Sequence, residues 1–394
     1  MKWTVFLTSV VFLAFSSSTI KPIRFPWTYE LYKQSSKPHR FTDEPVTLAI
    51  GAKAPDFKLP GVDGKNYTLA SFAKAKLLVI VFTCNHCPTA QAYEDRIIQL
   101  VKDYKSKGVE VIAIMPNDPQ AVTLSELGYT DMSDTYEEMK LRAKQKKFNF
   151  PYLYDGRTQS VTRAYGPVAT PHVFIFNKER KLCFQGRIDD VEKPSKTPGH
   201  LDTRAALDEL LAGKEVTTQT TKVFGCSIKW AEKKDHQKEI KEQWAKEEVK
   251  VEMIDEAGIK ELIKNNSDKL RLINVWASWC GPCVTEFPDF ITMNRMYRER
   301  DFEFISISAD GPSQQEKVLK FLKSKQASNK NYLFSIDDKY KLIEAIDPKW
   351  QGGLPYTILV EPGGKIVYGK GGKTDVALMK KAIVENPMIG RFYK

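Results

Sequence analysis

The sequence predicts an α/β protein of two domains, each a central mixed β-sheet flanked by helices. Three observations lead there. The chain has 394 residues, more than one hydrophobic core usually organises. Apolar runs of strand length alternate with helical patterns along it. One alternation also occurs twice: LLVIVFTCNHCPTAQAYEDRI near residue 80 and INVWASWCGPCVTEFPDFI near residue 273 each pass from a buried strand through Cys-x-x-Cys into a helix.

The elements follow in order. MKWTVFLTSVVFLAFSSSTI opens with Lys2, an apolar stretch from Val5 to Phe15 and then small serines, which is the build of a signal peptide, assigned to residues 1–18. Its apolar run falls short of the roughly 20 residues a spanning helix needs, so export without stable membrane insertion is the expectation. Residues 19–46, rich in proline, serine and charge, read as an extended arm.

The first domain is placed at 47–229. APDFKLPGVDGKNYTL reads as a hairpin turning at Asp63-Gly64, followed by a buried strand from Lys76 to Phe82 and a helix through Tyr93 to Tyr104. VEVIAIMPND is a further strand, DTYEEMKLRAKQKKF a helix, HVFIFN and KLCFQG a strand pair, and LDTRAALDELLAG a helix closed by glycine. WAEKKDHQKEIKEQWAKEEVK, dense in charges of alternating sign with Glu242 four residues before Lys246, reads as a linker helix over 230–250. Packing on either domain through Ile240 and Trp244 is its alternative. Residues 251–394 repeat the first pattern: helix IDEAGIKELIKN, strand LRLINVWA, Cys-x-x-Cys, helix to Arg298, strand FEFISISAD, helix QQEKVLKFLKSK, a strand pair around Pro-Gly-Gly, and helix ALMKKAIVEN.

A net charge of +11 on a chain whose lysines are mixed with acids reads as a solvated surface with some pull towards anionic partners, not as a nucleic-acid footprint. Six cysteines are too few for a disulfide scaffold, and four of them form the two Cys-x-x-Cys pairs. A structural zinc site would need two further ligands at short range, and a c-type haem a histidine where Pro88 and Val284 stand, so no metal or cofactor is expected. Redox chemistry remains. A cysteine just before a helix meets unpaired N–H groups that favour its thiolate, which nominates Cys84 and Cys280 as nucleophiles. Cys87 and Cys283 are then placed to resolve the mixed disulfide. His86, inside the first pair, would stabilise the Cys84 thiolate and make that disulfide the more oxidising of the two.

WCGPC after an apolar strand resembles thioredoxin, and LINVWASWCGPCVTEFP resembles the exported TlpA/ResA-like reductases, over roughly residues 251–394. The resemblance implies a thioredoxin fold, a proton-handling role for Glu286, Asn274 where thioredoxin has a buried acid, and a substrate-binding edge at Leu354-Pro355 beside Trp279. Residues 48–230 resemble a peroxiredoxin-like branch of the redoxins of AhpC/TSA type through FTCNHCPTAQAYEDR, ATPHVFIF, GRIDD and FGCSIKW, with Thr170-Pro171 at the matching edge. Peroxiredoxins carry Pro-x-x-x-Thr-x-x-Cys; here Ile80 and Cys84 hold the proline and threonine positions, with Thr83 and Arg163 as imperfect substitutes. Thiol-disulfide exchange with protein thiols and an electron donor is therefore the leading function. A thiol peroxidase recycled by its second domain, and a non-catalytic binding module with structural disulfides, are the rivals. Cys183 reads as a small buried hydrophobe or a partner for Cys226.

Overall fold

The computed structural model describes residues 45–193 and 195–393. The signal-like segment and all of the arm except Pro45 and Val46 lie outside the described residues.

After a short hairpin, β1 (Lys58–Pro60) with β2 (Asn66–Thr68), the chain enters a five-stranded sheet. Its strands are β3 (Leu77–Phe82), β4 (Val109–Met115), β5 (Tyr152–Tyr154), β7 (His172–Phe176) and β8 (Leu182–Gly186), in the order β5-β4-β3-β7-β8. The strands β3, β4 and β5 run parallel, and β7 and β8 are antiparallel additions. LLVIVF is wholly buried because both faces of the sheet are covered. Leu77, Val79 and Val81 pack on one side with Tyr93, Ile97 and Leu100, while Leu78, Ile80 and Phe82 pack on the other with Val161 and Tyr165. The period of two along a strand makes that division. The helices are α1 (Pro88–Tyr104), α2 (Tyr136–Lys146), α3 (Ser160–Tyr165) and α4 (Asp202–Leu211). Two short strands, β6 (Ala169–Thr170) and β9 (Cys226–Ser227), form a separate antiparallel pair at the end of this sheet's cysteine motif.

Beyond α5 (Lys234–Ala245) the second sheet holds six strands: β10 (Glu252–Ile254), β11 (Leu270–Trp276), β12 (Phe302–Ser308), β13 (Lys330–Phe334), β14 (Tyr356–Glu361) and β15 (Lys365–Gly371). Their order is β10-β13-β12-β11-β14-β15, again with a central strand parallel to one neighbour and antiparallel to the other. Around it lie α6 (Glu256–Lys264), α7 (Gly281–Tyr297), α8 (Gln315–Ser324), α9 (Lys339–Ile346) and α10 (Val376–Glu385).

The expected linker helix is packed rather than free. Trp244 of α5 is buried under the Arg295 guanidinium, 4.4 Å from its ring centroid, and Lys234 pairs with Asp118 at 2.7 Å. The two sheets also share material. Val122 and Leu127, from a loop after β4, sit in the core of the second sheet. The Tyr297 hydroxyl donates to the Thr130 carbonyl at 2.9 Å, and Arg391 pairs with Asp131 at 2.6 Å. Arg300 lies over the Tyr129 ring at 3.7 Å and donates to the Gly128 carbonyl at 2.7 Å. The described residues accordingly cluster as one compact unit.

Candidate functional site

The first site forms where β3 ends. Between Phe82 and Pro88 the chain is neither strand nor helix, and α1 starts at Pro88 with Cys87 as its N-cap. This corrects the expectation that Cys84 stands at the helix start. Proline suits the first helical position because its missing N–H would be unpaired there, so the proline after the second cysteine sets the helix to begin behind it. In the second site the proline, Pro282, precedes the second cysteine; α7 begins at Gly281, and the first cysteine, Cys280, is the cap.

Cys84 and Cys87 are free thiols, 3% and 0% exposed. The Cys87 sulfur accepts from the Ala90 N–H at 3.5 Å and the Cys226 N–H at 3.3 Å, and as a thiol it donates to the Thr170 carbonyl at 3.4 Å. The Cys84 sulfur lies 3.1 Å from the Thr170 hydroxyl. Thr170, just before the cis-linked Pro171, thus touches both cysteines.

Burial pushes the Cys84 thiol well above the ordinary range, reinforced by its hydrogen bond to Cys87 and the charge of Asp134. Burial opposes the Cys87 thiolate as well, but hydrogen bonds from Cys226 and Cys84 and the positive charge of His86 outweigh it and hold Cys87 well below the ordinary range. His86 therefore acts on Cys87, not on Cys84 as expected. Its ring is fixed by Asp134: the His86 Nδ1 and Asp134 Oδ2 are 2.6 Å apart in a fully buried pair. Desolvation disfavours the imidazolium, yet the Asp134 charge wins and raises His86 above its usual value. The Asp134 carboxyl is in turn held low, against burial, by His86 and Asn117. Its Oδ1 accepts the backbone N–H groups of Asn85 and His86 at 2.9 and 3.1 Å, and Oδ2 also accepts from the Asn117 amide at 2.8 Å. Cys84, His86 and Asp134 place ligand atoms within 4.8 Å of one another, the set that could hold a metal ion. Four donors already occupy that carboxylate, which fits it to orient the histidine and not to bind a cation.

In the second site Cys280 and Cys283 are joined as a disulfide, with the Cys283 N–H donating to the Cys280 sulfur at 3.3 Å. Trp279 beside them is 65% exposed. Glu286, one turn further along α7, is buried; its Oε2 accepts the Thr374 N–H at 2.7 Å and its Oε1 lies 3.5 Å from the Asn274 amide. Desolvation raises its carboxyl above the usual range despite those two bonds. Leu354 precedes the cis-linked Pro355, and no strand pairs with it among the described residues. A cleft lined by Trp350, Leu354, Tyr356, Gly369 and Gly372 opens beside it.

Other expectations resolve differently. Arg163 pairs with exposed Glu232 and stacks on Trp230, so it supplies no cation to the first site. Cys183 is half-buried and unbonded to Cys226. Sequence reasoning missed Asp134, Asn117 and the place of Cys226. Asp134 precedes a helix in MSDTYEE, where an acid reads as ordinary flanking charge; only Cys226, in FGCSIKW, carried a signal.

A strand, a Cys-x-x-Cys loop and a helix, faced by a proline-led antiparallel strand and built twice, define a double thioredoxin fold. Residues 50–185 match the AhpC/TSA family and residues 260–384 the Redoxin family, so the chain carries two domains of redoxin type in tandem. Among its relatives, the thiol-disulfide oxidoreductase ResA of Bacillus thuringiensis is 28% identical over 36% of this chain and 71% of that protein. ResA of Bacillus subtilis is 30% identical over 24% of this chain and 49% of that protein. A solved hypothetical protein from Sinorhizobium meliloti is 36% identical, covering 47% of this chain and 97% of that one, with a TM-score of 0.42.

Proposed function

We propose that this chain is an exported thiol-disulfide oxidoreductase that exchanges disulfides with protein partners through two sites of unequal character. The observation that carries the reading is the second site. Cys280 caps α7 and is joined to Cys283 beside exposed Trp279, and the edge at Leu354 is unpaired among the described residues. The thiolate of Cys280, stabilised by the helix N–H groups, attacks a partner disulfide; Cys283 resolves the mixed disulfide and leaves the partner reduced. In the first site Cys87 takes the nucleophile's part and Cys84 the resolving one. The ResA relatives carry the same activity in their names, and the N-terminal signal pattern supports export.

The His86–Asp134 pair favours the Cys87 thiolate, which makes the first disulfide the better oxidant, so electrons run from the second site to the first. Dithiothreitol-driven insulin reduction tests the activity: the chain accelerates it, and Cys280→Ser removes at least nine-tenths of that acceleration. No acceleration by the intact chain overturns the reading. Redox titration of Cys280→Ser/Cys283→Ser and of Cys84→Ser/Cys87→Ser tests the direction, and equal potentials overturn that. Peroxide reduction is the second reading, favoured by Cys87 standing as helix cap with a lowered pKa. It requires peroxide consumption that Cys87→Ser abolishes.

A further inference from the structure

The two sites differ in what lies on the proline-led edge. In thiol-exchange proteins of this build a partner peptide adds to such an edge as a short antiparallel strand. Leu354 has no such strand among the described residues, but its counterpart Thr170 is already paired: β9 runs antiparallel to β6, with Thr170 opposite Cys226 and Ala169 opposite Ser227. The chain's own segment Gly225-Cys226-Ser227 sits where a partner would. It is held there firmly. Gly225 has φ +138°, and a Cβ on it would lie 2.0 Å from the Thr170 carbonyl oxygen, so only glycine allows that approach. Ile228 is buried, and Lys229 is tied through its N–H to Asn117 at 2.9 Å and through its ammonium to Glu126 at 2.5 Å.

The thiol on this strand faces the buried pair. The Cys226 N–H donates to the Cys87 sulfur at 3.3 Å, and Cys226 packs against the core cluster that holds Cys84 and Cys87. Cys226 is half-buried, whereas Cys84 and Cys87 are closed off from solvent. Its sulfur lies 3.9 Å from the hydroxyl of Tyr393, a residue on the far side of the second sheet's sequence.

We propose that Cys226 is a third redox thiol of the first site, a built-in partner that carries disulfide equivalents between the buried Cys84/Cys87 pair and proteins outside. The inference rests on reading that pair as an exchanging dithiol. Starting from a Cys84–Cys87 disulfide, the Cys226 thiolate attacks the Cys87 sulfur. The Cys87–Cys226 bond forms, the Cys84–Cys87 bond breaks, and Cys84 leaves as a thiolate that takes up the proton Cys226 gave up; no electrons are gained or lost. A thiolate of a protein dithiol then attacks the Cys226 sulfur and expels Cys87. The second thiol of that protein displaces Cys226, closing the protein's own disulfide. Two electrons and two protons have passed to Cys84 and Cys87. The Cys226 and Ala90 N–H groups that point at the Cys87 sulfur stabilise it as it leaves in the second step.

Disulfide mapping of the full chain tests this. Intact protein and Cys84→Ser are oxidised with one equivalent of diamide, digested without reduction and analysed by mass spectrometry. The expected result is a Cys87–Cys226 cross-linked peptide as the main product in Cys84→Ser and as a second product beside Cys84–Cys87 in the intact chain, with Cys183 remaining a free thiol in both. Absence of that cross-link from both proteins overturns the proposal. In a Cys280→Ser/Cys283→Ser background, Cys226→Ser is expected to slow oxidation of a reduced protein dithiol by the first site at least tenfold; an unchanged rate also overturns it. The mapping needs no turnover, so a cross-link without any exchange activity would sink the proposed function and leave Cys226 as Cys87's partner.

Discussion

His86 and Asp134 show how one buried charge pair can set the character of a thiol. The Asp134 carboxylate favours the His86 imidazolium against burial, and that carboxylate is itself held by Asn117 and two backbone N–H groups. Asp134→Asn keeps the acceptor for the backbone but removes the charge that favours the imidazolium, so His86 lends less support to the Cys87 thiolate. The ultraviolet thiolate absorbance of Cys87, followed against pH in Cys84→Ser, should shift upward by about one unit or more, about 1.4 kcal/mol for each unit. Glu286 makes the opposite case. Its folded-state pKa lies above the unfolded value, so the fold prefers the neutral acid: that stability is complete at low pH and is lost as pH rises through the folded value. Glu286→Gln retains an acceptor for Thr374 and never ionises. Relative to the parent, its melting temperature should be a few degrees higher at about pH 8 and unchanged near pH 4.

At the scale of elements, the position of a proline decides which cysteine caps each helix, and a buried ion pair ties α1 to α2. Arg142 grips Glu94 with two bonds of 2.7 Å, both side chains being nearly excluded from solvent. Burial, helped by the Asp95 charge, raises the Glu94 carboxyl, so taking away Arg142 leaves a buried charge faced only by Lys146 at 3.9 Å. Arg142→Met should destabilise the chain by about 3–5 kcal/mol in urea unfolding. A loss within experimental error would mean that water reaches Glu94. The element β9 is a different kind of support, since it adds only two residues of ladder yet brings Cys226 to Cys87. Gly225→Ala should dislodge it, and alkylation of Cys226 should then speed up at least tenfold while the five-stranded sheet stays intact by circular dichroism.

Across the whole molecule, the two sheets are coupled through residues 122–131, which leave the first domain to pack on the second. Arg300 is central to that coupling: its guanidinium stacks on Tyr129 and bonds the Gly128 and Ile389 carbonyls. Arg300→Ala removes the cation–π contact and strips those carbonyls of a donor, a loss of about 2–4 kcal/mol. The single calorimetric transition expected of the parent should then broaden or divide into two. If both sheets still melt together at the parental temperature, the joint does not depend on Arg300.

Much of this was legible in the sequence. The continuous apolar runs in LLVIVF and LRLINVW, the turn at Asp63-Gly64 and the paired Cys-x-x-Cys loops are local signals, and they sufficed to predict two α/β domains and the four motif cysteines. The short strands β5, β6, β9 and β10 escaped because two or three residues carry no readable period; they are strands only because a neighbour pairs with them. Which cysteine is activated escaped too. That choice depends on where Pro88 starts the helix, on Asp134 arriving from 48 residues away to charge His86, and on Cys226 arriving from 139 residues away to meet Cys87. The sequence by itself determined the kind of chemistry, since thiols spaced for exchange are a property of neighbouring residues. Only the tertiary structure decided which thiol is favoured as a thiolate and which edge is filled, because both depend on burial and on partners that the folded chain alone brings together.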